Sequence, residues 1–147
     1  MIINDIVIVY PGIYETKCHI IENLDNIEYR KIKVACNKMP VIFNNDMWEY
    51  GYIDISSIQE YTILHTKKSD IPSIRSGDIL IKTSGRQLLP VLTTSELSGY
   101  TFTSSYVLIR PRRTIYTTIL YDTVKTLIVE NPRYTISDIL KHSIEQL

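Results

Sequence analysis

The feature that most constrains the fold is a change of hydrophobic period at Pro111. Before it, short runs rich in β-branched residues follow one another at close spacing; after it, apolar residues recur at helical spacing. Val, Ile, Thr and aromatic side chains fit a pleated, half-buried surface, and alternation along a run places every second residue on one face. The runs lie at Met1–Tyr10, Thr16–Glu22, Tyr29–Ala35, Pro40–Phe43, Trp48–Ile55, Tyr61–Leu64, Asp78–Lys82, Leu89–Leu92 and Ser105–Arg110, with turns rich in Asn, Asp, Gly, Pro and Ser between them. Beyond Pro111, the stripe Ile115, Ile119, Tyr121, Val124, Leu127 and Ile128 predicts a helix of about four turns over Thr114–Glu130, stopped at Asn131-Pro132. A second helix is predicted from Ile139, Leu140, Ile144 and Leu147, with Thr135 or Ser137 as its N-cap. The expected fold class is α+β, a β-rich body with one or two C-terminal helices.

A chain of 147 residues, 44% of them hydrophobic, can bury a core without metal or disulfide staples. No linker or low-complexity tract divides it, so a single domain over residues 1–147 is expected. The longest apolar stretches, Ile6–Tyr10 and Tyr106–Ile109, are far shorter than the roughly 20 residues of a membrane span, and no basic segment followed by an apolar run opens the chain. A soluble, unexported, cytoplasmic protein without membrane contact is the expectation. Cys18 and Cys36 stand on apolar-patterned segments with no neighbouring Cys or His at metal spacing, and read as reduced thiols.

Net charge is zero, yet the charges are unevenly spread. Residues 1–73 hold 7 Lys and Arg against 10 Asp and Glu, whereas residues 74–147 hold 9 against 6. Between Arg75 and Arg113 lie Arg75, Lys82, Arg86, Arg110, Arg112 and Arg113 against Asp78 and Glu96, enough to supply one positive face on a neutral protein. Within that stretch, Gly77-Asp78 fits a tight turn entering a buried strand, with Ile79 and Ile81 directed at the core. The segment Lys82-Thr83-Ser84-Gly85-Arg86-Gln87 then forms a polar tip whose cationic and amide side chains are the types that bond phosphates and base edges. A solvated hairpin would read the same way.

Three segments carry a resemblance to a known family. Tyr52-Ile-Asp-Ile-Ser-Ser-Ile58, then Ile74-Arg-Ser-Gly-Asp-Ile-Leu-Ile-Lys-Thr-Ser-Gly85, resembles the signature of target-recognition domains in type I restriction-modification specificity subunits. Tyr100-Thr-Phe-Thr-Ser-Ser-Tyr-Val-Leu-Ile-Arg110 is similar to a later strand of that family, and Tyr134-Thr-Ile-Ser-Asp-Ile-Leu140 to its closing segment. The resemblance runs from about Trp48 to Leu140, and Gly77-Asp-Ile-Leu-Ile with Gly85 is its most specific part. It implies a non-catalytic, sequence-specific DNA-binding domain of a defence system. Double-stranded DNA would be the ligand, DNA methyltransferase and restriction subunits the partners, and a half-size subunit could form a homodimer. The DNA-contacting residues expected on this reading are Lys82, Thr83, Ser84, Arg86 and Gln87 of the hairpin, with Tyr61, Lys67, Lys68, Thr103 and Ser104 beside it. Lys82 and Arg86 would contact phosphate or guanine, and Ser84 or Gln87 a base edge.

Catalysis has less support. Asp5 with Glu15 and Lys17 could hold Mg²⁺ in a nuclease, but the usual core places a helix before the Asp, where this sequence has four residues. His19, His65 and His142 are scattered without a spaced partner, and neither the dinucleotide nor the P-loop glycine pattern occurs, so no cofactor is expected. Eleven Tyr residues, among them Tyr50, Tyr52, Tyr61, Tyr100 and Tyr106, suit a recognition surface or an ordinary core edge. The rival reading from another class is a protein–protein interaction module of a defence or mobile-element system. The two readings differ in whether the cations between Arg75 and Arg113 converge on one face.

Overall fold

A computed structural model describes residues 1–19, 36–48, 51–64 and 66–144. Among the described residues, eight strands form two four-stranded sheets. The first joins β1 (Val7–Pro11), β5 (Ile79–Lys82), β6 (Leu89–Leu92) and β8 (Tyr106–Pro111) in the spatial order β1-β8-β5-β6, antiparallel throughout. The second joins β2 (Cys18–His19), β3 (Cys36–Ile42), β4 (Glu60–Leu64) and β7 (Thr101–Phe102) in the order β2-β4-β3-β7, with β3 and β7 parallel. Among the described residues, three helices accompany the sheets in an α+β fold: α1 (Ile3–Ile6), α2 (Thr117–Glu130) and α3 (Ile136–Leu140).

The Ile79-Leu80-Ile81 run is apolar at every position because β5 is buried on both faces. Ile79 and Ile81, with Ile109 of β8, pack against Leu120, Val124, Leu127 and Ile128 of α2. Leu80, Tyr106 and Leu108 point the other way, onto Ile42 of β3, Phe102 of β7, and Met47, Ile74 and Leu97. The first sheet is thus a middle layer, with helices on one side and the second sheet on the other. Ile13, Val41, Ile63 and Ile71 form a further cluster, to which the second sheet contributes Val41 and Ile63.

Four expectations need correction or refinement. Met1–Tyr10 is not one strand: Ile3 and Ile6, three apart, take one helical turn that buries both beside Ile139 and Ile144, with the Ile3 N–H donating to the His142 carbonyl at 2.8 Å. That turn satisfies two apolar residues which an extended chain would send to opposite faces. Trp48–Ile55 is not a continuous strand; Met47 and Ile53 form an isolated bridge, and Ile55–Ser57 is a 3₁₀ turn capped by Asp54. The first C-terminal helix begins with a 3₁₀ turn at Thr114–Tyr116 before α2. The second is α3, where Thr135 and Asp138 form a reciprocal capping box. The expected strand at Tyr29–Ala35, the end of the Thr16–Glu22 run, Tyr50, His65 and Leu147 lie outside the described residues.

Candidate nucleic-acid interface

Strand β5 divides the cations that cluster in sequence. At its start, Gly77 adopts a positive φ of 94° and its N–H donates to the Thr93 carbonyl at 3.0 Å, which turns the chain into the strand. Asp78 is buried there and accepts two hydrogen bonds from Arg110, from Nε to Oδ1 at 3.0 Å and from Nη2 to Oδ2 at 2.8 Å. Arg110 also donates to the Ser73 carbonyl at 2.7 Å and lies over the Tyr10 ring, 4.8 Å from its centroid. The hydrogen bonds that Arg110 donates to Asp78 hold its pKa above the ordinary value, against the opposing effect of burial. Arg110 is therefore committed inside the protein. Arg75 stands exposed at this same end, and Arg112 and Arg113 are exposed beyond β8, with Arg113 over the Tyr116 ring.

The other end of β5 leads into the polar tip. An open groove of about 1010 Å³ lies against it, lined by Asn45, Met47, Trp48, Lys82, Gly85, Arg86, Gln87 and Leu89. Lys82 donates from Nζ to the Met47 carbonyl at 3.1 Å, so its ammonium is fixed beside the groove with further N–H donors to offer. Ser84 bonds the Asn44 side-chain oxygen. Gln87 donates from Nε2 to the Ile128 carbonyl of α2 at 3.3 Å, which leaves its amide oxygen free to accept. Arg86 is exposed and, among the described residues, has no ion-pair partner.

Inward-facing bonds hold this tip. The Thr83 N–H and hydroxyl both donate to the Ser105 carbonyl, at 2.8 and 3.2 Å. Tyr106, opposite Lys82 in the register, is fully buried and its hydroxyl donates to the Phe43 carbonyl at 2.6 Å. Burial, with Asp46 nearby, pushes that phenol's pKa up. The turn Phe43–Asp46 is closed by the Asp46 carboxylate accepting from the Phe43 N–H at 2.7 Å.

The remaining expected contacts divide. Ser104 is exposed in the turn beside Ser105, whereas Thr103 is fully buried and offers no surface. Tyr61 is half-buried and tilted against Phe43, ring centroids 4.6 Å apart, which links it to the Asn44 edge of the tip. Lys67 and Lys68 are exposed, but Lys68 lines a separate groove with Asn37, Lys38, Met39, Pro40, Ile71, Ser73 and Gly99. Of the nuclease candidates, Asp5 and Glu15 are exposed on a helical turn and a 3₁₀ turn, and among the described residues no group of three His, Cys, Asp or Glu side chains is placed to hold a metal. No helix among them is long and apolar enough to cross a membrane.

Sequence reasoning missed Trp48 as a site residue by reading it as the start of a strand. It is 61% exposed, and Tyr52 is 60% exposed. Their rings meet edge to face, 5.9 Å apart at 75°, and the Trp48 N–H donates to the Tyr52 carbonyl at 2.9 Å. The usable signal was the position of the chain's single Trp two residues after the polar turn Asn44-Asn45-Asp46, where a core tryptophan is out of place.

No protein-family model matches this sequence, and no curated protein matches it. Among solved structures, the fold is similar to the crystal structure of the HsdS subunit from Thermoanaerobacter tengcongensis, with a TM-score of 0.53 at 12% sequence identity. The match covers 97% of this chain and 31% of that chain, so this chain spans about a third of the length of that subunit.

Proposed function

We propose that this chain is a DNA-recognition domain of the type I specificity-subunit kind, which binds duplex DNA and leaves the chemistry to partner subunits. The observation that carries the reading is Arg86, exposed at the tip of the β5–β6 hairpin over a groove that also holds Lys82, Gln87 and Asn45. Cations that meet phosphate or guanine, and amides that read base edges, are here presented together by a supported loop. The likeness of the fold to an HsdS subunit and the signature around Gly77-Asp78 support it independently. Lys82, Ser84, Arg86 and Gln87 are the proposed contacts, with Ser104 and Tyr61 at the margin. Thr83 supports the loop from inside. Lys67 and Lys68 stay in the proposal as outlying contacts, Lys68 on a separate groove. Methyltransferase or restriction subunits as partners, and a second copy of the chain, belong to the same proposal.

The test is fluorescence anisotropy with a labelled pool of random duplexes at two salt concentrations. Binding that weakens steeply with salt supports the reading, since each neutralised phosphate adds about 0.9 to the slope of log K against log salt. Absence of binding at low salt overturns it for the isolated chain. One observation favours the rival protein-binding module: Arg110 is consumed by Asp78 and Arg75 stands at the far end of β5, so the cations do not converge. A null result with DNA, both for the chain alone and in the presence of methyltransferase and restriction subunits, would select that rival.

A further inference from the structure

Trp48 and Tyr52 are large aromatic side chains left in solvent, and Trp48 lines a groove that carries the cations Lys82 and Arg86. Tyr52 meets the indole edge to face, and Trp48 keeps 61% of its surface in solvent, more than a core tryptophan would leave. Its position is fixed rather than loose: the Trp48 N–H is bonded to Tyr52, Met47 pairs with Ile53, and the Met47 side chain is buried. The Lys82 ammonium sits on the Met47 carbonyl, one residue away along the chain, and Arg86, Gln87 and Asn45 line the same groove. An exposed indole, two cations and two amides side by side match the parts of one nucleotide, which has an aromatic ring, an anionic phosphate and a polar edge. A paired base presents no face to a side chain, so such a platform suits a base that has left the stack.

We propose that Trp48, backed by Tyr52, is a stacking platform for one unpaired nucleobase of bound DNA, with the adjoining phosphate held by Arg86 and Lys82. This rests on the DNA-binding reading and adds to it a preference for a locally unpaired site.

The experiment uses the full chain and two fluorescein-labelled duplexes of one sequence, one fully paired and one with a single bulged adenine. Label anisotropy reports binding, and emission from the chain's single tryptophan reports stacking directly. The expected result is tighter binding of the bulged duplex with quenching of the indole. Trp48→Ala should weaken binding of the bulged duplex by roughly 5- to 150-fold, the range for loss of one stacked base, and Trp48→Phe should keep most of the preference. Equal binding of both duplexes without quenching overturns the platform, while salt-dependent anisotropy in the same samples leaves the DNA reading standing. No anisotropy change with either duplex overturns both.

Discussion

Arg110 and Asp78 face each other across the pairing of β8 with β5. Ile109 is opposite Ile79, so one step along each antiparallel strand brings the guanidinium and the carboxylate together in a two-bond fork at 3.0 and 2.8 Å. The Asp78 carboxylate also accepts from the Arg75 N–H at 2.8 Å, so this pair ties together the turn that enters β5, the end of β8 and the Ser73 carbonyl. Removing one partner leaves a buried charge without its counterpart. Arg110→Ala should therefore destabilise the fold by about 3–5 kcal/mol, read as a lower urea midpoint at unchanged slope. A loss under about 1 kcal/mol would show that water replaces the guanidinium.

Arg86 has the opposite character. It is exposed and, among the described residues, has no ion-pair partner, so Arg86→Ala should shift stability by less than about 0.5 kcal/mol. On the proposed function it should weaken duplex binding and reduce the salt slope by about one phosphate. Unchanged affinity and slope would remove the hairpin tip from the interface.

Gly12 tests how tightly β1 approaches the β7–β8 turn. A Cβ at this position would stand 1.9 Å from the Thr103 carbonyl oxygen, and the neighbouring Ile13 carbonyl accepts from the Ser104 N–H at 2.8 Å. The obstacle is backbone, which cannot rotate aside. Gly12→Ala should destabilise by about 1–3 kcal/mol, and a melting temperature equal to wild type would contradict this contact.

The start of α3 carries a pH signature. Bonds from the Thr135 N–H and hydroxyl hold the Asp138 carboxyl below its ordinary pKa. A carboxylate depressed in the folded state contributes stability that is complete above its unfolded pKa of about 4 and is lost as pH falls through the lower folded value. Thr135→Ala should lower the melting temperature at neutral pH and flatten that acid limb. Thermal melts of both proteins from acid to neutral pH would measure it; parallel curves would deny Asp138 the role.

Cys18 should be sluggish toward alkylating agents. Burial, and secondarily the charge of Glu15, push its thiol up to about 11, so little thiolate exists near neutral pH. Two pKa steps above an unperturbed thiol correspond to roughly 100-fold less thiolate at pH 8. Mass-spectrometric mapping of iodoacetamide labelling at Cys18 is the measurement, and labelling as fast as a free peptide thiol would contradict the burial.

By itself the sequence determined the class of the fold and the elements whose hydrophobic period is unambiguous. Leu89–Leu92 is observed as expected, and the helix ending at Asn131-Pro132 follows from a stripe long enough to tell a period of 3.6 from one of 2. Local bonding chemistry was legible too, in the Thr135 cap and in the Gly77-Asp78 turn with Ile79 and Ile81 facing the core. What only the tertiary structure decided depends on partners distant along the chain. Ile3 and Ile6 become a helical turn because α3 packs against them; Arg110 leaves the surface because Asp78 lies opposite; Thr103 is buried, and Trp48 is left exposed beside Lys82. Charge and apolarity are properties of a residue and can be read in order along the chain, but exposure and pairing are properties of the packed arrangement. The candidate interface consists of what that arrangement left at the surface.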